Sequence, residues 1–354
     1  MSNRIFTRSP YWVSITGSAN DVCRVDLYIW NGSTASAAPA TVTRSLSKPI
    51  PSSLITQCDF NISPFLREYI SFRDEPMIYN TTSDLDTTNF VNVVVKKYLN
   101  GTLSSTTQYV GLDGYTEYQD DYNNSLQDTM LTEGTYYYHY DSTGANSDIA
   151  LRPGHLVIDA TSTWSVRYTD LVNGATVTQA LSTTMLREIY RVYGTYWAHG
   201  NKVEVLNASS VVLQTYYFRP IEEPKYDVYY IDFINRFGVW QKEFLFKASR
   251  QSVELTKGSE HLKNQTNVNY DPRYAQRQVT NLNGVESIKC NTGWVEEGFS
   301  EVLKQLLFSE RILLNGLSVK LKNKAFDKQK NINEKLINYT IEFEYAYDVI
   351  NTMM

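Results

Sequence analysis

Ile337 to Tyr347 reads I-N-Y-T-I-E-F-E-Y-A-Y, and this run decides the fold class. Ile337, Tyr339, Ile341, Phe343, Tyr345 and Tyr347 fall on one side at period two. Asn338, Thr340, Glu342, Glu344 and Ala346 fall on the other. Side chains alternate across a sheet, so the run predicts one long β-strand, apolar behind and polar-acidic in front. At roughly 3.3 Å per residue it spans about 36 Å, beyond the common strand length. A strand of that length with one wet face suits a large curved sheet or a multi-subunit barrel. It points to an assembled structural protein.

Composition agrees with a β-dominated chain. The 354 residues suffice for two or three domains, and apolar residues at 42% place the chain among globular proteins. Tyr occurs 27 times, and Thr, Asn and Ser are plentiful. Tyr and Thr favour strands, while Asn and Ser favour turns. Tyrosines also suit interfaces, where the ring buries area and the hydroxyl finds a partner. The net charge of −5 argues against a general nucleic-acid binder. The basic stretch Lys320 to Lys335 is read as a solvated hairpin or a subunit contact. Cys23, Cys58 and Cys290 are odd in number and widely spaced, which fits buried thiols in a reducing compartment. The N-terminal residues lack the apolar core of a signal peptide, and no run of 18 apolar residues predicts a membrane span.

Five Asn-Gly pairs punctuate the chain, at Asn31, Asn100, Asn173, Asn283 and Asn315. Asn-Gly favours the type I′ hairpin turn, so a meandering β architecture is expected. Residues 1–125 read as a β-sandwich-like domain with strands near 11–16, 22–30, 41–46, 56–62, 90–99 and 106–111. A short helix begins at Ser63-Pro64. Residues 126–224 read as a second β-sandwich-like domain, with strands near 155–159, 164–171, 176–181, 203–206 and 211–218. Arg219-Pro220-Ile-Glu-Glu-Pro224 closes it, because two prolines stop regular structure.

Residues 225–354 differ in kind. Strands are expected at 226–235, 239–247, 312–314, 317–321 and 337–347. One amphipathic helix, 295–309, flanks them. Its stripe is Val295, Phe299, Val302, Leu303, Leu306 and Leu307, at helical spacing. Glu296 and Glu297 would stand in its first turn, where the helix dipole favours acids.

No catalytic constellation is legible. His139, His155, His199 and His261 stand at no metal-ligand spacing. Asp113, Glu117, Asp120 and Asp121 gather oxygen ligands, but their spacing matches no calcium loop. There is no Walker loop, no dinucleotide fingerprint and no nucleophile motif. The expectation is a non-enzymatic protein without catalytic residues, cofactor or metal.

Four runs resemble virion structural proteins of tailed bacteriophages of Bacteroidetes-type hosts. They are Tyr230-Ile-Asp-Phe-Ile-Asn-Arg-Phe-Gly-Val-Trp240, Asn291-Thr-Gly-Trp-Val-Glu-Glu297, Leu306-Leu-Phe-Ser-Glu310 and Leu336-Ile-Asn-Tyr-Thr-Ile-Glu-Phe-Glu-Tyr345. The resemblance covers roughly residues 225–350. It implies a tail or baseplate component of the virion, synthesised in the host cytoplasm. It further implies a tail-tube- or distal-tail-like β domain with one flanking helix, a six-fold ring of copies, and contacts with other tail proteins. On that view Glu342 and Glu344 would line a lumen as a negative wall that repels passing genomic DNA, or would form an assembly face. The competing reading is a glycan- or receptor-binding, fibre-like sandwich, with Trp164, Trp197 and Tyr136 to Tyr140 stacking on sugars. A hydrolase on a β scaffold stands third.

Overall fold

A computed structural model describes residues 4–32, 37–70, 84–86, 89–120, 130–134, 136–139, 155–160, 164–181, 188–193, 197–221, 225–256, 258–263, 268, 271, 273, 275–323, 325 and 336–350. Among the described residues 58% are in strands and 6% in helices, with two helices, so strand pairing sets the fold. Chain packing gathers the protein into two compact units. The first holds Met1–Glu222, Asp232–Glu243 and Gly298–Glu310. The second holds Glu223–Ile231, Phe244–Glu297 and Arg311–Met354. Sequence suggests three consecutive stretches. The chain passes from one unit to the other several times, first at Glu222, inside the Arg219–Pro224 run.

The first unit begins with two facing layers. A five-stranded sheet orders Arg4–Phe6, Thr102–Leu112, Phe90–Leu99, Val22–Asn31 and Arg44–Pro49. The pair Trp12–Thr16 and Gln57–Asn61 lies on the other side of a shared core. Val25, Leu27 and Ile29 meet Val13, Ile15 and Phe60 there. Cys23 and Cys58 belong to the same cluster, and all three cysteines are buried free thiols. The helix Ser63–Arg67 follows the second layer. Its acceptor at the start is Asn61 Oδ1, which takes the Ser63 N–H at 3.2 Å, so Ser63 lies inside the helix and is not its cap.

Further along, a second five-stranded sheet orders Thr176–Ala180, Ser165–Asp170, Asn201–Leu206, Val212–Ile221 and Tyr136–His139. His155–Ala160, Glu188–Tyr193 and Asp84–Asp86 form a three-stranded sheet. Strand Val212–Ile221 runs through Pro220, where the sequence predicts a stop. Its ladder with Asn201–Leu206 ends at Phe218, so Pro220 omits no rung on that side.

In the second unit five strands stand in the order Ile312–Leu314, Leu317–Leu321, Leu336–Asp348, Asn283–Glu296 and Lys247–Thr256. The closing strand covers 13 residues, with Ile337, Tyr339, Ile341 and Phe343 buried. Tyr345 is half-buried and Tyr347 is exposed, so the apolar pattern outlasts the core. Its partner Asn283–Glu296, at 14 residues, has no counterpart among the strands read from sequence. That strand also takes in Val295 and Glu296, which the helical spacing assigns to the helix.

The helix itself runs Phe299–Leu307 and packs in the first unit. Phe299, Val302, Leu303 and Leu306 are buried, and Leu307 is half-buried. Its first-turn acid is Glu301, not Glu296 or Glu297. Two of the five Asn-Gly pairs make the expected turn. Both residues have positive φ at Asn100-Gly101 and at Asn315-Gly316. The first joins Leu99 to Thr102 and the second joins Leu314 to Leu317. Asn283-Gly284 instead begins a strand, where the Asn283 side chain holds Asp348 and Ile350.

Leu306 is fully buried, so Leu306→Ala should cost roughly 2–5 kcal/mol in denaturant unfolding. A loss under about 0.5 kcal/mol, the scale of surface changes, would mean the stripe is not core.

Candidate functional site

The run Tyr230–Trp240 builds a hairpin buried on both faces. Trp240 to Leu245 are all buried, as are Tyr230 to Ile234. A strand without a wet face must satisfy its polar side chains internally. Asn235 organises the bend. Its Oδ1 accepts the N–H groups of Phe237 at 3.0 Å and Val239 at 3.3 Å. Its Nδ2 donates to Leu131 O at 2.8 Å and to Gln241 Oε1 at 3.1 Å. Gln241 Nε2 in turn donates to Glu133 O at 3.0 Å and Glu243 Oε1 at 2.8 Å. Gln305 of the helix closes the circuit, accepting from the Arg236 N–H at 3.2 Å and donating to Glu133 at 2.9 Å.

Gly238 completes the bend at φ +78°. A Cβ there would stand 2.5 Å from backbone atoms of Asp113 and Gly114. Two backbones touch at this point, so both the φ and the space demand glycine. Lys242 and Asp232 form a buried ion pair across the hairpin at 2.9 Å. Glu243 has only amide company, and burial pushes its carboxyl up to about 8 against a weaker opposing hydrogen bond from Gln241.

The second candidate is the outer face of the long strands in the second unit. Register places Lys320 beside Glu344 and Lys289 beside Glu342, with Arg250 across from Lys289. Glu342 accepts from Lys289 at 3.1 Å and Lys322 at 3.4 Å, and Lys322 also reaches Glu254 at 3.5 Å. Burial alone would raise the Glu342 carboxyl, but hydrogen bonds and charge from the two lysines outweigh it and hold it below its ordinary value. The negative wall expected from Glu342 and Glu344 is therefore replaced by a mixed ladder. Its bases are Arg250, Lys289, Lys320 and Lys322, and its acids are Glu254, Glu342 and Glu344. Sequence could not show this, because Lys289 and Arg250 lie on strands whose register with the last one is tertiary.

Other sequence candidates take structural roles. Trp164 is buried, and Tyr136 is wholly buried and stacked on Phe218 at 5.0 Å, so neither can present a ring to a sugar. Trp197 is half-buried, and its N–H is held by Asn201 Oδ1 at 3.0 Å. Asp113 binds Arg67 at 3.0 Å and Glu117 binds Lys304, so these two acids are spent on ion pairs, while the side chain of Asp120 lies outside the described residues. Asp121, Tyr140 and residues 326–335 of the basic stretch lie outside the described residues, as do the side chains of His139 and His155. His199 and His261 are exposed. Among the described residues no three of His, Cys, Asp and Glu converge on a metal-sized site. No described helix is long and apolar enough to cross a membrane.

No family model matches the chain, and no curated protein does. Among solved structures it is similar to the periplasmic chaperone SfaE at 7% identity and a TM-score of 0.19, over 62% of this chain and 97% of that one. It is also similar to the CupB2 chaperone of Pseudomonas aeruginosa at 6% identity and 0.18, over 61% and 96%. Similarity at this level assigns neither fold nor role.

Two pH responses follow. The folded pKa of Glu342 lies below its unfolded value, so its pairing contributes above that value and is lost as pH falls through the folded one. Glu342→Gln should cost roughly 0.5–1 kcal/mol at pH 7, the scale of exposed pairs, and nothing well below pH ~4. An unchanged cost in acid would refute the lysine pairing. Glu243 behaves oppositely. Its folded pKa of about 8 lies above the ordinary value of 4.5, so stability declines as pH rises between them. Glu243→Gln should raise the unfolding midpoint at pH 8 and leave it nearly unchanged at acid pH. Parallel curves for the two proteins would show that Glu243 is ionised in the fold.

Proposed function

We propose that the chain is a non-enzymatic structural component of a bacteriophage tail or baseplate, assembling with its own copies into a ring or sleeve and joining neighbouring tail proteins. The observation that carries the assembly reading is the far end of the second unit's sheet. There the strands Asn283–Glu296 and Leu336–Asp348 outrun their core. Asn283 ties to Ile350 in both directions, and Val349 donates to Gly284. Leu282, Tyr347, Val349 and Ile350 meanwhile stay 46–53% exposed. Ordered backbone that presents apolar side chains to water is the signature of a surface made to be covered.

The tail assignment rests on the four resembling runs. They build the buried hairpin, the end of the 14-residue strand, the helix terminus and the closing strand. Those are the parts on which the rest of the fold hangs, so the resemblance touches architecture and not a decorated loop. In this reading the protein is made in the host cytoplasm and resides in the virion tail, with six-fold symmetry implied by the resemblance. Glu342 and Glu344 then serve as an assembly face, a reading that the lysines paired with Glu342 support.

Imaging of the native particle should find this chain in rings or stacked copies, and mass photometry of the purified protein should find closed oligomers. A chain that sits singly in the particle would overturn the reading. Reversing both Glu342 and Glu344 to Lys should abolish assembly, whereas a lumen role would leave assembled particles with impaired DNA release.

A further inference from the structure

We infer that strand Lys247–Thr256 pairs antiparallel with the same strand of a second copy about a two-fold axis at Ser252. The strand stands at one end of its sheet. Among the described residues only Asn283–Glu296 pairs with it, so its outer side carries no strand. Arg250 to Leu255 are exposed on both faces, with Val253 and Leu255 at 60% and 71%. A long edge without proline, wet on both faces and carrying apolar side chains, is a template for another strand.

The occupant follows from charge and symmetry. In an antiparallel pair of identical strands the two-fold axis must pass through a residue facing its own copy, because hydrogen-bonded and non-bonded rungs alternate. Centring on Ser252 sets Arg250 opposite Glu254 twice, Gln251 opposite Val253 twice, and Ser252 opposite itself. Centring on Gln251 sets Arg250 against Ser252, and centring on Val253 sets Glu254 against Ser252. One register alone matches opposite charges across the seam. Arg250 has no acidic partner among the described residues, and Glu254 is 76% exposed in its single reach to Lys322. Ser252 is already aligned by the Ser287 hydroxyl 2.9 Å away on the neighbouring strand.

Two other exposed edges among the described residues lack this self-match. Arg44–Pro49 ends in proline, and a two-fold axis at Leu46 would oppose Arg44 to Lys48, two like charges. Thr176–Ala180 carries no charge to select a register.

Such a contact presents the same patch from both partners, so it makes pairs and does not close a ring. It goes beyond the tail reading and stands without it. In any ring it would join two rings or two neighbours, and a different surface would close the circle.

The test uses the full-length chain. Sedimentation velocity across a concentration series should show a reversible two-copy step. Arg250→Glu sets two carboxylates against each other at both charged rungs of the seam, and Glu254→Arg sets two guanidinium groups there. Each should weaken the step about tenfold or more while leaving the circular dichroism unchanged. Mixing the two single variants should restore association, because every cross-seam pair is then opposite in charge, and so should the double reversal. Amide exchange at Arg250–Thr256 should slow with concentration in the wild type and in the mixture, but not in either variant alone. A wild type with no two-copy step, single reversals that associate normally, or a mixture that stays apart would each overturn the inference. Loss of rings with the two-copy step intact would instead count against the tail reading alone.

Discussion

Asn235 is the interaction on which the first unit depends. The hairpin it bends has no solvent-facing side, so each polar group in it needs a partner from the protein. One amide side chain serves two backbone N–H groups, one carbonyl and one glutamine. Through Gln241, Glu133 and Gln305 it draws residues 131–133 and the helix Phe299–Leu307 onto the same hairpin. Leaving any member unpaired would cost the desolvation of a buried polar group, about 1–3 kcal/mol. The helix therefore packs in the first unit although its neighbours in sequence lie in the second.

Lys242 and Glu243 sit side by side in that hairpin and solve burial differently. Lys242 keeps its charge because Asp232 stands 2.9 Å away. Glu243 has no cation at hand and keeps its proton instead, as expected when desolvation exceeds what one amide can return. An ion pair and a neutral acid are the two ways a low-dielectric interior accepts an ionisable side chain.

The second unit handles its charges in water. Glu342, Lys289, Lys322 and Glu254 form a ladder across three strands and the residue after a fourth, each contact weak and together sign-balanced. Its apolar residues are arranged differently as well. The period-two stripe is buried from Ile337 to Phe343 and emerges into solvent by Tyr347. The same alternation makes core at one end of the strand and uncovered surface at the other.

Local pattern determined a good deal. Alternation at Ile337–Tyr347 specified the closing strand and its buried face, because register on a half-wet sheet leaves one choice. Helical spacing identified Phe299, Val302, Leu303 and Leu306 as an inner stripe, and Asn-Gly placed two hairpin turns. Tertiary structure decided what lay beyond local reach. Asn283–Glu296 shifts register against its partner between Val285 and Ser287 and again between Asn291 and Trp294, so no single period announced a strand. The helix began late because Val295 was claimed by a ladder partner, Ile337, distant in sequence. Tyr136 and Trp164 became core because other strands closed over them. The sign of the sheet face was set by which lysines register beside Glu342, and register between distant strands is a property of the fold alone.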